Sequence, residues 1–577
     1  MKNLNALYLI ICCVACGCFW SCSDETINSD RTGVYPASIV CNDSVEIHKF
    51  VINIYSHLPD GFNRMAGNSM VASAIDEAVH AVPGSGAQAW GEGSWNPSTT
   101  RDDNFGTNYQ GIRRSFVFEE ELYPNIPDRI ISEKGKKQLL AQVFFVRAYC
   151  NYELLKRYGG YPLVKHALKI DEDLNIPRST YDECVEYIVA LCDSASKVLP
   201  LSYIDGQFGR ITKGAALALK ARVLLYAASP LFNDPAKPSD HLEHGAYDPA
   251  KWEKAAQAAA EVIKLKNEKN INVYALFNQY DAFFYTLVDN KVVNKEIILS
   301  RLREEGNTLE KQHGPSGYTG GEGGACPTWD LVSAYEMKDG TPFDWNNPVH
   351  AANPFANRDP RFEKSILYNG AKWMTGRTIE TFEGGKDKLG DNATPTSFYL
   401  RKFFNINAYW NKPSGVSVHH WPLIRYGEVL LNYAEAMNEA FGPDADPKAY
   451  GMTAREAIKL IRTRAGLTGN TDLSVTVPVN DKDKMSEAIR QERRIELAFE
   501  EHRHLDVRRW KIAETVLNRP VWGLKIEKDK DGNYTYTPQE VQTRYFDKSK
   551  MYLYPFPQTE IGRNKNLKQN SNWEIQQ

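Results

Sequence analysis

Residues 139–164, LLAQVFFVRAYCNYELLKRYGGYPLV, decide the fold. Leu140, Val143, Phe144, Ala148 and Leu155 recur at helical spacing, so one face is built for burial. Arg147, Asn151, Glu153, Lys156 and Arg157 supply polar positions among them. Gly159 and Gly160 give a stop signal, and Pro162 follows as a second breaker. The spacing predicts a long amphipathic helix with a sharp exit. One such helix fits any α-rich protein, so its meaning comes from the helices downstream that can pack on it.

Residues 182–199 read as a second amphipathic helix, closed by Pro200. Residues 215–232, rich in Ala and Leu, are stopped at Pro230 and Asn233. Residues 249–266 carry WEKAAQAAAEVI, whose small side chains allow close helix approach. These pairs resemble tetratricopeptide-type hairpins, although no strict repeat period is visible. The helices resume at residues 423–441, 454–465 and 484–511. In the last of these Ile489, Ile495, Phe499 and Leu505 are the expected buried positions, and the many charges read as a solvated face or a partner-contacting surface. Between the halves, residues 270–420 are rich in Gly, Pro, Asn and aromatics. They read as loops and short strands inserted into the scaffold, long enough to suggest function. GLKIEKDKDGNYTYTP reads as a hairpin turning at Asp531-Gly532.

The chain has 577 residues, 42% apolar and 24% charged, an ordinary globular balance. A net charge of −3 gives no argument for nucleic acid. Five cysteines lie between Cys12 and Cys22; the other five are scattered and suggest neither a disulfide framework nor a zinc site. Residues 1–21 read as a leader: Lys2, then an apolar run suited to a signal-peptide core. Ser21-Cys22 followed by Ser23-Asp24-Glu25 resembles a bacterial lipoprotein cleavage site, with Cys22 as the lipidated first residue and Cys18 as a rival. The acidic residues after it resemble the surface-export signal of Bacteroidetes lipoproteins.

The segments SCSDE, FFVRAYCNYELLKRYGGYPLV, GRITKGAALALKARVLLYAASPLFN, CPTWDLVSAYEMKDG, NRDPRF, FYLRKF, WPLIRYGEVLLNYAEAMNEA, EAIRQERRIELAFEEHRHLDVRRW and LYPFPQTEIGRNKNLKQN follow one another in order. In that order they resemble the SusD/RagB family of Bacteroidetes outer-membrane lipoproteins. The resemblance implies a mainly α fold, a tetratricopeptide-like helical scaffold with a loop-rich ligand-binding part. One such domain would span residues 22–577, with the scaffold near 136–267 and 423–511 and the binding region near 80–115 and 270–420. It also implies a role: a surface-exposed lipoprotein of the outer membrane, anchored through Cys22, that caps a SusC-like TonB-dependent transporter. There it binds a nutrient for import, usually an oligosaccharide, in some relatives a peptide.

A sugar site needs flat apolar faces for pyranose C–H groups and polar groups for hydroxyls, which Trp and Tyr combine in rigid form. Trp90 and Trp95 lie in a Gly-, Ser-rich loop where the family often carries ligand contacts, with Asn96, Arg101 and Asp102 beside them. Tyr318 lies inside the run HGPSGYTGGEGG. Trp329, Asp76 and Glu77 complete the candidates; packing of Trp329 in the core and solvation of the two acids are their plainer readings. His502 and His504 sit two apart on an expected helix and face apart, and His241 and His244 lack further ligands. Asp529 to Gly532 fits a turn better than a calcium loop, because the glycine comes too early. No metal or cofactor is expected, with structural calcium elsewhere left open. GxSxG, HExxH and GxxxxGK[ST] are absent, and the family is non-catalytic. A surface glycoside hydrolase and a peptide-binding importer subunit are the rival readings.

Overall fold

The computed structural model describes residues 37–574 apart from 170, 204–206, 237–240, 290 and 291. The expected leader and Cys22 lie outside the described residues.

Helices dominate: α1 (Ser44–Ile54), α2 (Phe105–Val117), α3 (Glu133–Tyr158), α4 (Tyr181–Val198), α5 (Lys213–Ala228) and α6 (Lys251–Ile263) precede the loop-rich segment. After it come α7 (Tyr426–Phe441), α8 (Ala454–Ala465), α9 (Lys482–Glu496) and α10 (Arg503–Arg509). Their ends follow local chemistry. Ser132 and Thr212 cap α3 and α5 by accepting from backbone N–H groups. Thr180 with Glu183, and Thr453 with Glu456, form reciprocal capping boxes on α4 and α8. Gly159, at φ +73°, ends α3 where a side chain would also strike the backbone of Leu242 and Glu243.

Successive helices from α3 to α6 pack each on the next, as tetratricopeptide-like hairpins do, and α7 then packs on α6. The stack therefore continues across the inserted segment. The expected helices recur within a few residues, with two differences.

First, beyond its exposed N-terminal turns, α3 has no polar face. Arg147, Asn151, Glu153 and Arg157 are all buried, because α2 and α4 cover it on different sides. Its charges are paired: Arg147 with Glu119 at 2.6 Å, and Arg157 with Glu153 at 2.5 Å and Asp102 at 3.0 Å. Second, the expected helix over 484–511 is two helices. Phe499 and Glu501 adopt left-handed backbone (φ +66° and +61°) and turn the chain between α9 and α10. Nor is this charged stretch a solvated face beyond its first turns, where Lys484 and Glu487 are exposed. Glu492, Arg493, Glu496, Glu500, Arg503, Asp506 and Arg509 are buried, in ion pairs.

The strands are short and form two-stranded antiparallel sheets. β1 (Ala78–His80) pairs with β3 (Ala325–Pro327), and β2 (Ile297–Leu302) with β6 (His420–Arg425). β4 (Ile366–Leu367) pairs with β5 (Tyr399–Leu400). β7 (Pro520–Lys528) and β8 (Tyr534–Thr543) form the expected hairpin, with Gly532 at φ +92° in its turn. Through β1–β3 and β2–β6 the inserted segment is tied to the N-terminal region and to the start of α7.

Candidate binding site

The expected site residues do not converge. Trp90 and Trp95 are each 4% exposed. Their rings meet edge to face at 6.4 Å, and both lean on Tyr554. His504 closes on Trp90 at 5.7 Å and Trp573 on Trp95 at 4.9 Å. Their faces are covered by the C-terminal tail and α10, so the expectation that this loop presents them to a sugar is corrected. The local sequence lacks core-forming residues, and the missing apolar surface arrives from some 450 residues further along the chain.

Asn96 is exposed and bends its own loop, its Oδ1 accepting from Ser98 N at 2.8 Å and Thr99 N at 3.1 Å. Arg101 is half-buried, and its Nε has no partner. Asp102 is fully buried between Arg64 and Arg157 and accepts from the Tyr554 hydroxyl at 3.0 Å. Asp76 is buried, 2.8 Å from Arg494 and 3.0 Å from Arg503. Burial opposes its charge, but those two guanidiniums hold its carboxyl well below the usual range. Glu77 is buried beside it with one oxygen unpartnered; burial, then the Asp76 charge, push it up to about 8. The solvated reading of these two acids is thereby corrected. Trp329 packs in the core against Trp345 at 5.1 Å and Phe343 at 5.8 Å.

Tyr318 leads to a different constellation. Its ring is buried, its hydroxyl donates to the Met374 carbonyl at 3.0 Å, and the Arg377 guanidinium lies 4.1 Å over its face. Arg377 is itself clamped by Asp387, at 2.5 and 2.9 Å. Burial raises the Tyr318 phenol to about 12, with Arg377 pulling the other way, so it stays a neutral donor. Tyr409 and Trp410, at 6.0 and 6.1 Å, lean on Tyr318 and lie 5.2 Å from each other.

Both of those rings are half-buried. Trp410 donates its indole N–H to the Thr319 carbonyl at 3.0 Å, and Asn411 donates to the Tyr409 hydroxyl at 2.9 Å. Gly314 makes room for this: a Cβ there would run into the Trp410 ring. The Gly-rich run is thus the seat of an aromatic platform.

A cleft of about 390 Å³ opens beside it, lined by Tyr409, Asn407, Lys412, Ser414, Thr375 and Gly376 among others. Thr375, one of the lining residues, is held at φ +63°. The arrangement offers an apolar ring, a carboxamide, a hydroxyl and an ammonium on short loops around a rigid brace. Sequence reasoning reached Tyr318 but missed Tyr409 and Trp410. The available signal was the pair Tyr409-Trp410 leading into Asn411-Lys412-Pro413-Ser414-Gly415, aromatics next to turn-formers.

Residues 295–573 match the model described as the SusD family, and residues 39–225 match one described as starch-binding associating with outer membrane. The chain belongs to the SusD family. It is similar to the crystal structure of a SusD-like protein from Bacteroides fragilis, with 27% identity and a TM-score of 0.74 over 92% of this chain and 97% of that one. A second structure from the same organism, a SusD-like carbohydrate binding protein, gives 26% identity and a TM-score of 0.72 over 92% and 100%. SusD-like protein P2 of Formosa agariphila is 24% identical over 76% of this chain and 74% of its own. The mainly helical architecture fits the SusD-like fold of these structures. Among the described residues, no helix is long and apolar enough to cross a membrane.

Proposed function

We propose that this chain binds a glycan at the cell surface through the Tyr409–Trp410 platform and delivers it to a SusC-like TonB-dependent transporter, with no covalent chemistry. One observation carries the reading: two partly exposed aromatic rings are braced by Tyr318 and the Arg377–Asp387 pair, and one of them, Tyr409, lines a cleft that also offers Asn407, Lys412 and Ser414. Ring faces meet sugar C–H surfaces and the polar groups meet hydroxyls, while the brace keeps the ordering cost of binding low. The carbohydrate-binding relative and the family's outer-membrane association support it. We place the anchor at lipidated Cys22.

The soluble chain from Ser23 onward should be retarded in native gels containing its polysaccharide, with no shortened sugars in the mixture. Trp410→Ala should weaken binding by about thirtyfold, the scale of losing an aromatic anchor worth about 2 kcal/mol. Shortened products would replace the binding reading with an enzyme. Undiminished retardation of a folded Trp410→Ala protein would remove the platform from the site. In the full chain, Cys22→Ala should abolish palmitate labelling and membrane retention.

A further inference from the structure

A larger cleft, of about 530 Å³, lies in the helical scaffold. It forms where the C-terminal ends of α5 and α7 meet the N-terminal ends of α6 and α9, and shares no residue with the platform cleft. Three aromatic side chains line it. Tyr247 is 53% exposed, Trp252 is half-buried on the first turn of α6, and Phe441 is the last residue of α7. The loop carrying Tyr247 is fixed by Asn233, which donates to the Asp248 carbonyl at 3.0 Å and accepts from Asp248 N at 2.9 Å.

Among the described residues, the charges around the cleft are paired. Lys511 pairs with Asp234 at 2.7 Å, Lys482 with Glu439 at 3.3 Å, and Lys448 with Glu253 at 2.7 Å. An ionic ligand would have to break one of these pairs. Two donors remain: the Tyr247 hydroxyl and the Trp252 indole N–H have no hydrogen-bond partner among the described residues. Flat apolar rings, unused neutral donors and charges already paired are the chemistry of an uncharged polyhydroxyl ligand. A peptide would find neither an open strand edge nor a continuous apolar trough for a helix.

We propose that this scaffold cleft is a second carbohydrate site, taking a neutral saccharide unit on Tyr247 and Trp252. With the platform it would give one chain two points of attachment to a polymer, so that polysaccharide is held more tightly than its oligosaccharides.

The test uses the soluble chain in native gels containing neutral glucans, xylans, mannans and galactans. Five proteins are compared: wild type, Y409A/W410A, Y247A/W252A, the triple variant Y409A/W410A/Y247A, whose added change is at an exposed residue, and the quadruple variant. The proposal expects Y409A/W410A to keep weaker retardation by at least one neutral polysaccharide. That remainder should fall at least tenfold with Tyr247→Ala and vanish in the quadruple variant. Equal retardation of Y409A/W410A and the quadruple variant overturns it, as does a remainder displaced by a peptide digest and not by sugars. Complete loss in Y409A/W410A also overturns it, while leaving the platform reading intact. A wild-type chain that binds no glycan sinks both.

Discussion

Glu77 is a carboxyl in the core with an oxygen left over, held near a pKa of 8 by burial and by the Asp76 charge next to it. Its folded value lies above its unfolded one. The stability it contributes is therefore fully present below about pH 4.5 and is lost as pH rises through 8. Glu77→Gln removes that titration while keeping the shape. Denaturant unfolding of the variant should lose little between pH 6 and pH 9, where the wild type loses stability; parallel curves would show that Glu77 is charged in the fold. Carboxyls such as Glu153, drawn down to about 2 by Lys156 and Arg157 against the pull of burial, act in the opposite direction and weaken the fold only in acid. None of this is visible in a string of letters. Asp76 and Glu77 look like solvated acids at a helix end, and their environment comes from Arg494 and Arg503, more than 400 residues away. The same distance hid Trp90 and Trp95.

At the scale of elements, the sequence is legible wherever structure is local. The capping residues, the Ala-rich contact faces of α5 and α6 and the Asp531-Gly532 turn all follow from spacing and backbone chemistry. Reading failed where partners are remote: α3 looked amphipathic because buried ion pairs have the letters of a solvated face, and the α9–α10 break rests on left-handed Phe499, a residue that seldom turns a chain. The Gly-rich loop stands between these cases. Its composition announces unusual backbone, but the reason Gly314 is glycine is the Trp410 ring above it. Gly314→Ala should destabilise by about 1–3 kcal/mol, the usual scale of overpacking. It should also shift tryptophan emission and weaken glycan binding together. Lost stability with unchanged emission and affinity would mean that the loop yields without moving the ring.

Across the whole molecule, ionic clusters buried in the core join parts far apart in sequence. Arg425, at the end of β6, reaches Glu296 at 2.8 Å, Glu496 at 2.8 Å and Glu500 at 2.7 Å. Arg464 adds a second bridge from Glu296 to Glu496, and Lys402 contacts Glu500 at 2.8 Å. The inserted segment is thereby bolted to α8 and α9. Arg425→Met removes the cation shared by three buried carboxylates, leaving them Arg464, Arg361 and Lys402, and should cost about 3–5 kcal/mol, read as a fall in the unfolding midpoint. A loss below about 1 kcal/mol would show that water or Arg464 takes over. The order of segments disclosed the family at this scale, since it needs only local motifs in sequence. It could not disclose the platform, because which aromatics gather around Tyr318 depends on how the insertion folds back on itself.

The tail has a further consequence. Trp573 lies on Trp95 and donates to the carbonyls of Lys550 and Leu553, while Asn570 donates to those of Tyr158 and Tyr554. Residues 550–573 thus complete a layer begun by Trp95 and Tyr158, which are synthesised hundreds of residues earlier. Until the later residues emerge, the indoles of the early loop have an open side, and the exit of α3 lacks its latch. That closure joins residues 412 apart in sequence, the long-range kind of contact whose loop-closure entropy slows folding. How long the early indoles stay uncovered is therefore tied to the position of a single tryptophan.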